Sequence, residues 1–199
     1  MVTATFEIDK LLPATFTVPD LSEAEFLEFC AKVPDATLEY TPDGTLLIMP
    51  PTDPESAARV FEVGRQLGNW AIDQHHGIVI GPDGGFRLPG GSRRSPDAAW
   101  FNEVRWEKAK TPGTRFPNFA PDFVIEVRSP DDRLPALREK MEEYLNNGVQ
   151  LGWLIDPIEG TVTIYRSGRE PEVLANPASV AGEGPVAGFV LTLKRVFAD

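Results

Sequence analysis

The chain has 199 residues, of which 42% are hydrophobic, 25% charged and 10% aromatic, enough for one sizeable core and unlike a disordered chain. Its net charge of −11 argues against binding a polyanion over the whole surface, yet residues 87–140 hold 11 of the 19 Lys and Arg and 8 of the 30 Asp and Glu, a net of +3 against −14 for the rest. A single cysteine, Cys30, excludes an internal disulfide framework and a cysteine zinc cage.

One domain is expected over 1–199, with an extended N-terminal arm to about residue 20 and a β-rich tail over about 167–199. Met1–Lys10 lacks the basic start and apolar core of a signal peptide. No apolar run approaches the roughly 20 residues that span a bilayer, so no membrane partner and a cytoplasmic location are expected. Ser22-Glu23-Ala24-Glu25 fits a capping box, and Phe26, Phe29, Cys30 and Val33 repeat behind it at helical spacing up to Pro34. Cys30 belongs to that apolar face. Thr37–Tyr40 and Thr45–Met49 form a hairpin closed by Pro42-Asp43-Gly44. Asp53-Pro54 opens a helix to about Gln74, with Val60, Phe61, Gly64, Leu67 and Ala71 as its buried stripe. Glu55, Arg59, Glu62 and Gln66 fall on another stripe, read as an ion-paired exposed face. The adjacent His75 and His76 have no acid or thiol at ligand spacing and are read as structural.

Short strands follow at Gly77–Ile80 and Gly85–Leu88. Pro89-Gly90-Gly91-Ser92-Arg93-Arg94 is read as a basic loop, without the ending of a phosphate-binding loop. Ser95 to Phe101 reads as a strand, with Asp97 and Ala99 on one face and Ala98 and Trp100 on the other. A short charged helix over 103–110 and a proline-containing loop over 111–120 lead to Phe123-Val124-Ile125-Glu126-Val127, an apolar run bounded by prolines that reads as a buried strand. Glu126 is its anomaly. A carboxylate in a central strand loses hydration and requires a cation, a metal or hydrogen bonds in return. Asp122 shares its face, but at roughly 13 Å along the strand the two cannot chelate one ion.

The next helix, Leu134 to Asn147, has Leu137, Met141, Tyr144 and Leu145 as its buried stripe. Lys140 lies about 60° from Leu137 and about 40° from Tyr144 on the helical wheel, at the edge of the inward face. Leu151–Ile155 and Thr161–Arg166 complete a hairpin, and the remainder reads as loops with a last strand near 189–193. Asp97, Glu126 and Lys140 form the pattern of metal-assisted phosphodiester hydrolysis: hard cations such as Mg²⁺ take carboxylate oxygens and share the phosphate, and a cation stabilises the charge that develops on it. No aromatic cluster interleaved with basic residues argues for single-strand stacking.

Ser95-Pro96-Asp97, the run Pro121 to Ser129, Arg138 to Tyr144, Asn147-Gly148-Val149 and Trp153 to Pro157 together resemble the Uma2-type family of restriction endonucleases, in the PD-(D/E)XK nuclease superfamily. The resemblance covers most of the chain, roughly Glu39 to Arg166. It implies an α/β restriction-endonuclease-like core, a mixed β-sheet flanked by helices. It also implies a Mg²⁺- or Mn²⁺-dependent DNA endonuclease, with Asp97 and Glu126 as catalytic metal ligands. The superfamily's lysine two residues after the second acid is Arg128 here, and a lysine displaced onto the following helix corresponds to Lys140. Glu55 resembles an additional acid of such nucleases. Arg128, Arg93 and Arg94 are expected to contact DNA phosphates, and a homodimer suits double-strand cutting. The alternative is a non-catalytic nucleic-acid-binding or regulatory protein, in which Glu126 is ion-paired to Lys140 or Arg128.

Overall fold

The computed structural model describes residues 12–74, 77–110, 115–116 and 118–198. The His75–His76 pair, most of the expected N-terminal arm and part of the 111–120 loop lie outside the described residues.

The chain builds β1 (Ala14–Thr17), α1 (Glu23–Lys32), β2 (Thr37–Tyr40), β3 (Thr45–Met49), α2 (Pro54–Asp73), β4 (Ile78–Ile80), β5 (Phe86–Arg87), β6 (Arg93–Arg94), β7 (Ala98–Phe101) and α3 (Glu103–Ala109). It continues with β8 (Phe123–Val127), α4 (Leu134–Asn146), β9 (Leu151–Asp156), β10 (Thr161–Arg166), β11 (Glu172–Ala175), β12 (Ser179–Ala181) and β13 (Val190–Thr192). The central sheet has six strands in the order β11-β10-β9-β8-β7-β4. β8 and β9 are parallel, joined by α4, and the other neighbours are antiparallel. The sheet is therefore mixed and helix-flanked, as expected. A second, antiparallel sheet runs β1-β3-β2-β6-β5, and β12 pairs with β13.

Side-chain alternation along the strands sorts the core into two layers. Ala98, Trp100, Phe123, Ile125, Val127 and Trp153 pack against Val60, Val63, Leu67 and Ala71 of α2 and against the C-terminal segment through Phe189 and Leu191. On the other face Ala99, Phe101, Val124 and Leu154 meet Leu137, Met141 and Tyr144 of α4. Fully burying each large apolar side chain contributes roughly 1.5–3 kcal/mol, so the packing of α2 and α4 on the two faces of the sheet stabilises the fold strongly. α1 and the second sheet close a third cluster around Phe26, Leu38, Leu46 and Ile48.

Local signals fix the helix ends. Ser22 and Glu25 make the reciprocal capping-box bonds of α1. The Asp53 carboxylate accepts from the amides of Glu55 and Ser56 at 2.9 and 3.0 Å, with Pro54 behind it in the first turn of α2. α4 ends where Gly148 takes φ +100°, a conformation that a side chain disfavours.

Some expectations are corrected. Phe61 is exposed, and the buried face of α2 is Ser56, Val60, Val63, Leu67 and Ala71. Glu62, expected on the exposed stripe, is buried because its carboxylate is held by Arg65 and Gln66. Arg93 and Arg94 are a two-residue strand rather than a free loop, paired with β2 on one side and β5 on the other. β4 and β5, adjacent in sequence, part into different sheets. In the C-terminal region β13 is the strand expected near 189–193, while β11 and β12 form where loops were expected.

Candidate active site

The site lies where the two sheets and α4 meet. β7 and β8 pair antiparallel through Ala98↔Ile125 and Ala99↔Val124, so one step further along this register Asp97 stands opposite Glu126, on the face toward α4. The amide of Val127 donates to Asp97 Oδ2 at 2.7 Å, which ties the two strand ends together at the acids. Glu126 is only 4% exposed. Lys140 Nζ, from the middle of α4, lies 2.9 Å and 3.0 Å from its two carboxylate oxygens. Tyr144, one helical turn further, donates its hydroxyl to Glu126 Oε1 at 2.9 Å. The wheel position of Lys140 at the edge of the inward face thus resolves into a contact with Glu126.

A residue that the sequence reading passed over completes the cluster. Glu39 on β2 is buried and accepts from Lys140 Nζ, Arg94 Nη1 and the Ser95 amide, each at 2.9 Å. Its signal was the one that singled out Glu126, an acid set between apolar residues of a strand, here Leu38 and Tyr40. The hydrogen bonds of Arg94 to Glu143 on α4 fasten the second sheet to the helix that carries Lys140.

Three carboxylates therefore converge on Lys140 and Arg94. Burial pushes the Glu126 carboxyl up to about 8; Lys140 opposes the shift, while the charges of Asp97 and Glu39 add to it. Burial likewise raises Asp97 to about 6, against the Val127 amide and Lys140. Glu39 behaves in the opposite way. Burial would raise it, but Lys140 and Arg94 together hold it below its ordinary value. Lys140 is disfavoured by burial, yet Glu126 and Glu39 outweigh that and keep it protonated above its ordinary value. The arrangement has one acid held ionised, Glu39, two cations, Lys140 and Arg94, and an opposed pair of acids, Asp97 and Glu126, that burial holds toward the protonated form.

Of the other candidates Arg94 touches the cluster, through Glu39, and the rest lie elsewhere. Arg128 donates to Asp156 Oδ2 at 2.8 Å, at the end of β9, and does not reach Glu126 among its hydrogen bonds. Arg93 is buried, bound to Glu23 at 3.0 Å and stacked over the Phe26 ring at 4.7 Å. Arg94 is buried between Glu39 and Glu143. The donors of both are taken by carboxylates, so the structure uses these arginines to join elements, and neither stands as an open phosphate clamp. Glu55 pairs with Arg59 at 2.5 Å on the exposed face of α2 and has no bond to the cluster. Asp122 is buried and satisfied by the Asn102 amide, Arg105 and Gln150.

The profile of the Uma2 family, described as "Putative restriction endonuclease", matches residues 23–194. The chain belongs to the Uma2 family. A crystal structure of "a putative nuclease belonging to DUF820" from Anabaena variabilis ATCC 29413 superposes with a TM-score of 0.73 at 26% identity, covering 87% of this chain and 96% of that one. None of the curated proteins matches. In this Uma2 chain no helix among the described residues is long and apolar enough to cross a membrane.

The residues fit a hard divalent cation. Asp97 and Glu126 stand opposite each other on neighbouring strands, and Mg²⁺ is commonly bound by one or two carboxylates with water and substrate phosphate filling the remaining positions. Among the described residues no group of three or more His, Cys, Asp or Glu is placed to hold a metal ion.

Proposed function

We propose that this Uma2 protein is a Mg²⁺- or Mn²⁺-dependent endonuclease that hydrolyses DNA phosphodiester bonds, with Asp97 and Glu126 holding the metal and Lys140 as the catalytic cation. The observation that carries this reading is the contact of Lys140 Nζ with Glu126 at 2.9 Å, directly beside Asp97. It supplies the lysine that Arg128 replaces in the usual sequence position.

A bound divalent ion would lower the pKa of a water and neutralise charge on the scissile phosphate. The chain's own groups do the rest. Lys140 stays protonated and donates to the negative charge that develops as the water oxygen bonds to phosphorus and the bond to the sugar oxygen breaks. Glu39 and Arg94 fix Lys140 from the second sheet, and Tyr144 fixes the Glu126 carboxylate. Double-strand cutting would pair two copies about a twofold axis.

A second reading has its own observation. Both oxygens of Glu126 already accept hydrogen bonds from protein groups, as in a closed structural ion pair on a non-catalytic relative of the fold. Supercoiled plasmid incubated at low salt with Mg²⁺ or Mn²⁺ separates the two. Nicking or linearisation by wild type that is lost in Asp97→Asn and Glu126→Gln supports the nuclease. Cutting that persists in both variants would overturn the assignment of the site.

A further inference from the structure

A cleft of about 980 Å³ lies against the back of the candidate active site, between α1 and β2 on one side and β4, β5 and α3 on the other. Arg94 and Ser95 line it, and the same two residues hold Glu39 in the catalytic cluster. Phe86, Trp106 and Phe116 form apolar walls, and Lys110 and Arg115 stand on exposed backbone positions beside them. Lys110 Nζ lies 5.7 Å from the Trp106 ring centre and 2.6 Å from Glu107 Oε1 on the exposed side of α3, and the Arg115 guanidinium lies 5.8 Å from the Phe116 ring centre. Among the described lining residues Asp83 is the one acid. The fold has thus assembled an aromatic cluster interleaved with cations that the linear sequence did not reveal as one.

We infer that this cleft receives an unpaired base of the DNA strand being cut, stacked against Trp106 and Phe116, while Lys110 and Arg115 hold its flanking phosphates. The inference rests on the nuclease reading and names its substrate class: DNA with an unpaired nucleotide beside the scissile phosphate, rather than continuous duplex. Three features favour this occupant. Aromatic faces accept any base by stacking, and cations beside them track the backbone. The volume is at the upper end of the roughly 300–1,000 Å³ of small-ligand sites, room for a base turned out of the stack. Ser95 in the cleft wall stands two positions before Asp97 of the cluster.

Cys30, the chain's single cysteine, also lines the cleft, and reports its occupancy without any cleavage. In EDTA, fluorescein-labelled duplexes with and without one unpaired adenine are titrated against the full chain by anisotropy, and the rate of Cys30 reaction with a thiol reagent is followed in parallel. The expected result is tighter binding of the duplex with the unpaired base and slower Cys30 labelling. Trp106→Ala and Phe116→Ala are expected to reduce that preference about 5- to 150-fold, the range for loss of one base–aromatic stack. Trp106→Phe is expected to retain most of it, which separates the stack from a folding defect. Lys110→Ala weakens both duplexes alike. Equal binding of the two duplexes by wild type, an unchanged preference in both alanine variants, or protection of Cys30 by free AMP as strong as by DNA would overturn the inference. A preference with Cys30 protection but no metal-dependent cutting would support the cleft and count against the nuclease; cutting without any preference would do the reverse.

Discussion

Glu39 and Glu126 are buried strand glutamates that share Lys140, and replacing each by Gln is expected to move stability in opposite directions. In Glu39→Gln, Lys140 and Arg94 lose the carboxylate that accepts from both at 2.9 Å. Breaking a buried pair costs about 3–5 kcal/mol; because Glu126 and Glu143 still hold the two cations, the lower end applies. At roughly 2–4 °C per kcal/mol for a chain of this size, about 3 kcal/mol is a loss of about 6–12 °C in Tm. Glu126 is held near 8 in the folded state, against about 4.3 when unfolded. The folded protein therefore keeps a proton that the unfolded chain releases, and wild-type stability falls as pH rises from about 4.3 to about 8. Glu126→Gln removes that loss. By thermal denaturation in EDTA, its Tm relative to wild type is expected to climb from near zero at pH 5 to a gain on the order of a few kcal/mol in stability by pH 9. A Glu126→Gln variant as unstable at pH 9 as Glu39→Gln would refute the reasoning and make Glu126 an ordinary structural ion-pair partner.

The remaining predictions concern the metal and the cation. Because Asp97 and Glu126 hold protons up to about 6 and about 8, Mn²⁺ affinity should rise with pH through that window, with proton release seen by calorimetry in buffers of different ionisation heat; a pH-independent affinity would contradict the pKa assignments. Lys140→Met should lower plasmid cleavage about 10²–10³-fold while Mn²⁺ affinity is retained, the loss typical of one donor to transition-state charge. Glu55→Gln should leave Mn²⁺ affinity unchanged and stability within about 0.5 kcal/mol, since an exposed helical pair contributes little; loss of metal binding there would place Glu55 in the site after all.

Much of the central sheet was legible in the sequence because its signals are local. The prolines around Phe123–Val127 and the buried acid within it identified β8, and the helical wheel put Lys140 at the edge of the face that reaches Glu126. What the sequence hid depends on pairing between distant segments. Glu39 lies on a strand of the second sheet, and its bond to Ser95 spans 56 residues, so its carboxylate had no local reason to meet Lys140. The glycines before Arg93 and Arg94 suggested a basic loop, but β2 and β5 draw these residues into a strand and their charges into ion pairs. Phe61 was misplaced because one residue's step on a helix turns a side chain by about 100°, and Val63 fills the core position instead. The aromatic residues of the cleft are spread from Phe86 to Phe116 and meet only in the folded chain.

The central claim is that Asp97 and Glu126 form one divalent-metal site beside Lys140. Mn²⁺ binding at pH 8, followed by electron paramagnetic resonance on wild type, Asp97→Asn, Glu126→Gln and Lys140→Met, tests it most directly. One site in wild type and Lys140→Met, lost in both acid variants, is the predicted result. Mn²⁺ bound equally by all four proteins, or by none of them while the fold is intact, would contradict it.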